Sequence, residues 1–442
     1  MSDVHRDRFI VPLDAPAARD AERVGPKAAN LATLGAAGLP TPGGFCLAAD
    51  AYRAQIAALG LGDATASYAA AAPREQRRLA VDIRLALYER PIAPEIVEPL
   101  LEAWRQQRAA SGGPGVVRSS ALIEDRSGAS CAGQFESFLG LADEGAMLTA
   151  ARACWAALWT SQARGYMDRH GMSPVGTAMA VLIQPLIDAR ASGGGLSENG
   201  EGHMMLSAAW GLGSSIAQGE IVPDRIVLSR AGFLRSNEPG RKDRRDTCGH
   251  CVAGDAVKRI NGGVLPQAVP RELVDEPCLT AGDAVMLGRL LRRAEAVLGV
   301  PVEIEWALDD CGFKLLQARP LVVAATMVPD DIWLKHPRLN GHPAGIGWAA
   351  GRAVVVNCEC ELSRIAPGDV LVTRVAGPAL GQVLPRVAGV VAELGGSTSH
   401  LASLARERGI PMVLGVRNAT ATIPDGAQVA VDGVAGTVRW IG

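Results

Sequence analysis

The chain has 442 residues, 48% of them hydrophobic, which is room for two or three globular domains, each with its own core. Its 44 basic and 46 acidic residues leave a net charge of -2, without the basic excess of a nucleic-acid binder, and four Tyr and six Phe offer little for stacking on bases. The charged N-terminus has no signal-peptide core, no apolar run is long enough to span a bilayer, and the nine cysteines follow no framework spacing. A cytoplasmic chain with no nucleic-acid or membrane partner is therefore expected.

Apolar residues at helical spacing after Gly25 (Ala28, Leu31, Leu34, Leu39) predict a helix. Residues 78–110 predict another, stopped by Ser111-Gly-Gly-Pro-Gly. Val116-Val117 reads as a short buried strand, and helix returns over 146–169. Ala178 to Ile187, broken by Gln184 and Pro185, reads as a buried strand, and strands alternate with glycine-rich turns to about 230. Residues 280–298 predict a helix, then Val302–Trp306 and Lys314–Gln317 a strand pair. Pro329, Pro337 and Pro343 mark 324–344 as a surface linker. Beyond it, valine-rich runs at 353–356, 370–373 and 387–392, a helix over 399–408, and strands at 429–431 and 437–440 predict a small α/β domain. The expected division is 1–323, a linker 324–344, and 345–442.

Gly395-Gly-Ser-Thr-Ser-His400 places a glycine turn before a helix, with Ser397, Thr398 and Ser399 as N-cap candidates. His400 then stands in the first turn, where free backbone N–H groups and the helix dipole favour an anion. Neutral imidazole is well populated near pH 7 and can attack phosphorus, and Thr398 can bond the phosphate oxygens. A capping or packing role for the histidine is the plainer alternative.

The longer string from Gly395 through Ala405-Arg-Glu-Arg-Gly-Ile-Pro-Met-Val-Leu-Gly415 resembles the phosphohistidine swivelling domain of the phosphoenolpyruvate-utilising enzymes, which include pyruvate phosphate dikinase, phosphoenolpyruvate synthase and rifampin phosphotransferase. The resemblance implies that His400 is the phosphoacceptor. Three strings in the first part resemble the same family's ATP-grasp domain: Val24-Gly-Pro-Lys-Ala-Ala-Asn-Leu, Arg118-Ser-Ser-Ala-Leu-Ile-Glu-Asp with Ser130-Cys-Ala-Gly-Gln, and Glu303-Ile-Glu-Trp-Ala with Leu316-Gln-Ala-Arg-Pro. By that resemblance Lys27 and Arg118 meet the nucleotide phosphates. Two adjacent strands could present Glu305, Gln317 and Arg319 on one face. The first two are hard oxygen ligands suited to Mg2+, and Arg319 can neutralise a phosphate in transfer. Gln184, the glycine-rich segment Ser192–Ser197, Gly211-Leu-Gly213 and Pro223-Asp-Arg225 fill the remaining family positions, with the glycines expected to close flexibly over phosphates. ATP and Mg2+ are the implied cofactors, and an ATP-grasp domain followed by a swivelling domain, α/β overall, is the implied fold.

The sequence departs from the family pattern at Pro26, Ser197, Gly200 and Ser214. The last stands where glutamate usually follows Gly-Leu-Gly, so one nucleotide or metal contact of the family pattern has a hydroxyl in place of a carboxylate. No barrel for phosphoenolpyruvate follows His400's domain in this chain, so the acceptor is expected to be an unidentified small molecule or to lie on a separate subunit. The alternatives are an ATP-driven condensing enzyme, the donor part of a split dikinase, and a non-catalytic nucleotide-binding partner protein. Cys248-Gly-His-Cys251 reads as a polar surface loop rather than a redox or zinc site, and Cys358 and Cys360 lack the usual zinc-pair spacing.

Overall fold

The structure, a computed structural model, describes residues 8–124, 135, 137–199, 201–248, 263–321, 333 and 335–441. The chain divides into two compact units, one of 1–188, 248–265 and 314–319, the other of 189–247, 266–313 and 320–442. These boundaries are not those of the expected division.

The first unit is built on strands β1 (Ile10–Pro12), β2 (Phe45–Leu47), β3 (Gly115–Ala121), β4 (Ser137–Leu141) and β5 (Met179–Pro185), in the order β1-β2-β5-β3-β4, every pair antiparallel. β5 is central and buried on both faces, which explains its unbroken apolar run. Trp104, Trp155 and Trp159 are buried in this unit, and the Trp159 indole donates to Tyr52 Oη at 2.9 Å. The stretch 78–110 is two helices, Pro73–Glu89 and Pro94–Ser111, because Pro91 and Pro94 interrupt it; 146–169 likewise splits at Thr160, which caps Ser161–Arg169. The helix Ala21–Ala36 carries a kink at Gly25, whose φ of 76° brings its backbone against Ser120. No Cβ fits there, and a left-handed residue is needed.

The second unit has two parts. In the first, β6 (Ala191–Leu196), β7 (Met204–Trp210), β8 (Asp224–Leu228) and β9 (Leu234–Glu238) form an antiparallel sequence, with β12 (Val302–Asp309) on the other side of β6. The helix Ala281–Leu298, opened by a Thr280–Asp283 capping box, packs its apolar stripe against this sheet. β10 (Arg244–Cys248) and β11 (Val264–Ala268) form a two-stranded sheet, and β13 (Gly312–Pro320) has its residues 314–319 in the first unit.

The histidine part holds β14 (Arg338–Asn340), β15 (His342–Gly345), β16 (Trp348–Val356), β17 (Val370–Val375), β18 (Gly389–Leu394), β19 (Met412–Leu414), β20 (Gln428–Asp432) and β21 (Thr437–Ile441) in one sheet, ordered β14-β21-β20-β16-β17-β18-β19-β15. β16 to β19 are parallel, and the outer pairs are antiparallel. Val370, Val372, Val391 and Val413 are fully buried, as parallel strands covered on both faces require. The loops after β16, β17 and β18 leave from one edge of this sheet, and the loop after β18 carries His400. β14 and β15 lie within the stretch that reads as linker. They are short edge strands, positions where Pro337 and Pro343 cost no ladder hydrogen bond. The overall α/β character is as the sequence predicts.

Candidate active site

Residues of the expected site fall in both units, and each group is described within its own unit. In the first unit, Lys27 lies beyond the Gly25 kink and donates to the Ser119 carbonyl at 2.7 Å, with Glu124 Oε2 at 3.5 Å. Glu124 is buried; desolvation raises its pKa, and the nearby Lys27 charge opposes that rise. Arg118, the neighbour of Ser119 on β3, donates to the Leu316 carbonyl and to Gln317 Oε1, each at 2.7 Å. The guanidinium thereby fixes which face of the Gln317 amide is oxygen and leaves that oxygen a second lone pair for a cation. Arg319 is buried two residues further on. Gln184 is buried in β5 and donates to the Gly43 carbonyl at 2.9 Å.

In the second unit, β12 alternates. Val302, Ile304 and Trp306 point into the core, and Glu303 and Glu305 occupy the opposite face. Across the sheet Glu305 pairs with Gly194 and Gly194 with Ser207, so these three positions form one row. The histidine loop lies on that row. A Cβ on Gly194 would stand 2.5 Å from Thr398 Cβ, and Ser207 Oγ is 3.2 Å from Ser397 Oγ. The Gly395 amide donates to the Ile221 carbonyl at 3.0 Å.

Ser399 caps the histidine helix His400–Glu407 through the Ala402 amide, so His400 occupies the first helical position as the sequence predicts. The helix continues over β12. Ser403 Oγ donates to Glu303 Oε2 at 3.0 Å and Arg406 Nη2 to Glu303 Oε1 at 2.9 Å. Thr398 contacts the position opposite Glu305, and Ser403 and Arg406 contact Glu303, so the helix starts at the Glu305 end of the strand. Thr398 Oγ1 is buried without a hydrogen-bond partner among the described residues. A buried, unpartnered hydroxyl beside a first-turn histidine is what an absent phosphoryl oxygen would satisfy.

Three expectations change. Ser192 to Ser197 is not a flexible closing loop: Ala191 to Leu196 is strand β6, with ladder partners on both sides. Its backbone N–H groups are engaged, and Ser197 Oγ accepts from the Val302 amide at 2.8 Å. Asp224 is wholly buried, accepting from Lys242, Gly240 and Cys278, which makes it a structural residue. Cys248 is buried at the end of β10 rather than in a surface loop, while Cys251, Gly200 and the Cys131–Gln134 string lie outside the described residues. Two features were not legible. Ser214, in place of glutamate, hydrogen-bonds the carboxylate of Asp246, which returns an acidic group to that position. Cys358 and Cys360 are joined in a disulfide. Glu303, Ser207, Ser397, Ser403 and Arg406 were also missed as site residues; the available signals were that Glu303 shares a strand face with Glu305 and that Glu303 and Arg406 both lie in the strings that carry the family resemblance.

An antiparallel nucleotide-type sheet and a parallel-centred sheet bearing a first-turn histidine define an ATP-grasp protein with a phosphohistidine carrier part. Residues 21–332 match the family described as pyruvate phosphate dikinase, AMP/ATP-binding domain, and residues 365–436 match PEP-utilising enzyme, mobile domain. The chain belongs to this family. It is 28% identical to the phosphoenolpyruvate synthase of Pyrococcus furiosus over 98% of its own length and 58% of that protein's. It is 29% identical to the probable phosphoenolpyruvate synthase of Methanothermobacter thermautotrophicus, covering 94% of this chain and 61% of the relative. The Escherichia coli phosphoenolpyruvate synthase is 29% identical over 96% of this chain and 56% of its own length. The chain thus spans a little over half the length of these curated relatives. No helix among the described residues is long and apolar enough to cross a membrane.

Proposed function

We propose that this chain transfers phosphate from Mg-ATP to His400 and passes it on to a small-molecule acceptor. In the first step the imidazole nitrogen attacks the β-phosphorus. The bridge to the α-phosphate breaks and AMP leaves. The γ-phosphoryl group is then lost to water as orthophosphate, leaving phospho-His400. Lys27 and Arg118 hold the polyphosphate, Arg319 offsets the charge of the group in transfer, and Thr398 donates to its oxygens. Gln184 and Ser197 complete the proposed nucleotide-binding set. Glu305 and Gln317 fit Mg2+ by donor type, one carboxylate and one amide oxygen. The cation would shield the phosphate charge.

The single observation behind this reading is the buried, unpartnered Thr398 hydroxyl, two residues before His400, on the strand row that includes Glu305. The acceptor we propose is pyruvate, because the relatives are phosphoenolpyruvate synthases. The test is incubation of the purified chain with Mg-ATP labelled at the β-phosphate. Label on His400 and release of AMP are expected, with neither in His400→Ala. Equal labelling of the His400→Ala variant would overturn the proposal.

A further inference from the structure

Glu303 is buried and ionic, yet it belongs to a strand and not to the expected nucleotide set. Its carboxylate is 6% exposed and the guanidinium of Arg406 3%. Both of its oxygens are taken by the histidine helix, one by Arg406 and one by Ser403. Arg406 Nη1 reaches further, to the Ser397 carbonyl in the histidine loop and the Ala344 carbonyl of β15 at 3.0 Å. One guanidinium therefore ties strand β12, the loop and an edge strand of the histidine part together. We infer that Glu303 is a positioning residue that, with Arg406 and Ser403, seats the histidine helix on β12 for the loading step.

The energetics suit a reversible seat. Removing an ion pair from water costs nearly what the pair returns, so its net contribution to docking is small, although its geometry is selective. When the helix leaves, Glu303 and Arg406 are both hydrated again, and neither is stranded. Deleting one partner is different. The other charge is then buried without its counter-charge when docked and hydrated when undocked, so the equilibrium moves toward the undocked form. Because both carboxylate oxygens are engaged by the carrier helix, Glu303 acts through docking. The inference rests on the phosphohistidine reading above, but docking itself can be measured without it.

Ser207 and Ser397, with hydroxyls 3.2 Å apart, give the probe. Cysteines at both positions fall within disulfide reach only when the helix is seated. In the 442-residue chain carrying Ser207→Cys and Ser397→Cys, the bridge should form readily under mild oxidation, read by peptide mapping. Adding Glu303→Gln should slow bridging by about tenfold or more, less than a wholly unpartnered buried charge would give because Arg406 keeps the Ser397 and Ala344 carbonyls. In Glu303→Gln without the cysteines, ATP affinity should hold while the rate of His400 phosphorylation falls by a similar factor. Closing the bridge in the Glu303→Gln background should restore that rate, because the tether replaces the seat. Equal bridging rates with and without Glu303→Gln overturn the inference, as does a bridged Glu303→Gln chain that still loads slowly. Absence of label on His400 in the unaltered chain would sink the phosphotransfer reading, and the bridging rates would still decide the role of Glu303.

Discussion

Gly194 and Thr398 meet so closely that the strand position tolerates no side chain: a Cβ on Gly194 would lie 2.5 Å from Thr398 Cβ and 2.6 Å from its Cγ2. Gly194 is in β6 and Thr398 in the histidine loop, 204 positions apart in a chain of 442 (398 − 194). This contact makes the strand face a gauge of whether the loop is seated.

Gly194→Ala should therefore separate folding from loading. The three nearest atoms to the added methyl all belong to Thr398, so the clash falls first on the loop. The melting midpoint should move by no more than about 2 °C, as for a substitution that leaves the core intact. Phospho-His400 formation should fall by about tenfold or more, the equivalent of roughly 1.4 kcal/mol of lost docking. A normal loading rate in this variant would contradict the seated loop.

Thr398→Val tests the hydroxyl alone. Valine keeps the shape and removes a buried polar atom that has no protein partner here. Stability should stay level or rise by up to about 1 kcal/mol. Transfer to His400 should slow by about ten- to a hundredfold, because a donor to the phosphoryl oxygens is gone. Denaturant titration and a single-turnover labelling assay read the two effects. Unchanged labelling would remove Thr398 from the chemistry.

Lys27 has two roles to separate, since it faces a buried carboxylate as well as the expected polyphosphate. Lys27→Met should destabilise the chain by about 3 kcal/mol, because Glu124 is left buried without a cation. Adding Glu124→Gln should recover most of that loss. ATP affinity, measured by calorimetry, should remain low in both variants. Recovery of affinity in the double variant would mean that Lys27 acts only as the partner of Glu124.

His342 gives the fold a defined acid sensitivity. Burial, with help from Arg225, pushes its pKa from 6.5 to about 4, while Glu238 and Asp224 pull the other way. In the unfolded chain the imidazole takes up a proton below about 6.5, and in the fold only below about 4. Between those values the unfolded state holds more protons, so stability falls as pH drops through that window and is fully present above it. The loss should reach about 2 kcal/mol, less than the full shift implies because the side chain is half-buried. His342→Gln should flatten this part of the pH profile of the melting midpoint. A profile unchanged by His342→Gln would refute the assignment.

Much of this was legible in the sequence because local patterns and tertiary demands agree. The buried strand β5, the helix Ala281–Leu298 and the first-turn position of His400 all follow from periodicity and capping. The glycine run in β6 misled for a physical reason. Glycine repetition resembles flexibility, but here each glycine answers crowding: a Cβ at Gly193 would strike the Ser207 carbonyl, at Gly194 Thr398, and at Gly195 Leu206 Cδ2 at 2.9 Å. The prolines near 337 and 343 read as linker because edge strands tolerate them as well as loops do. Glu303 was hidden because its partner Arg406 is 103 residues away, and no local pattern encodes a pairing at that distance.

The histidine helix is eight residues long and carries His400 at its start and Arg406 one residue from its end. Cargo and address tag thus share one short rigid rod. A histidine part grafted onto another nucleotide part would load only where that part offers a carboxylate at the place of Glu303. A change of charge at 303 would therefore call for a matching change at 406.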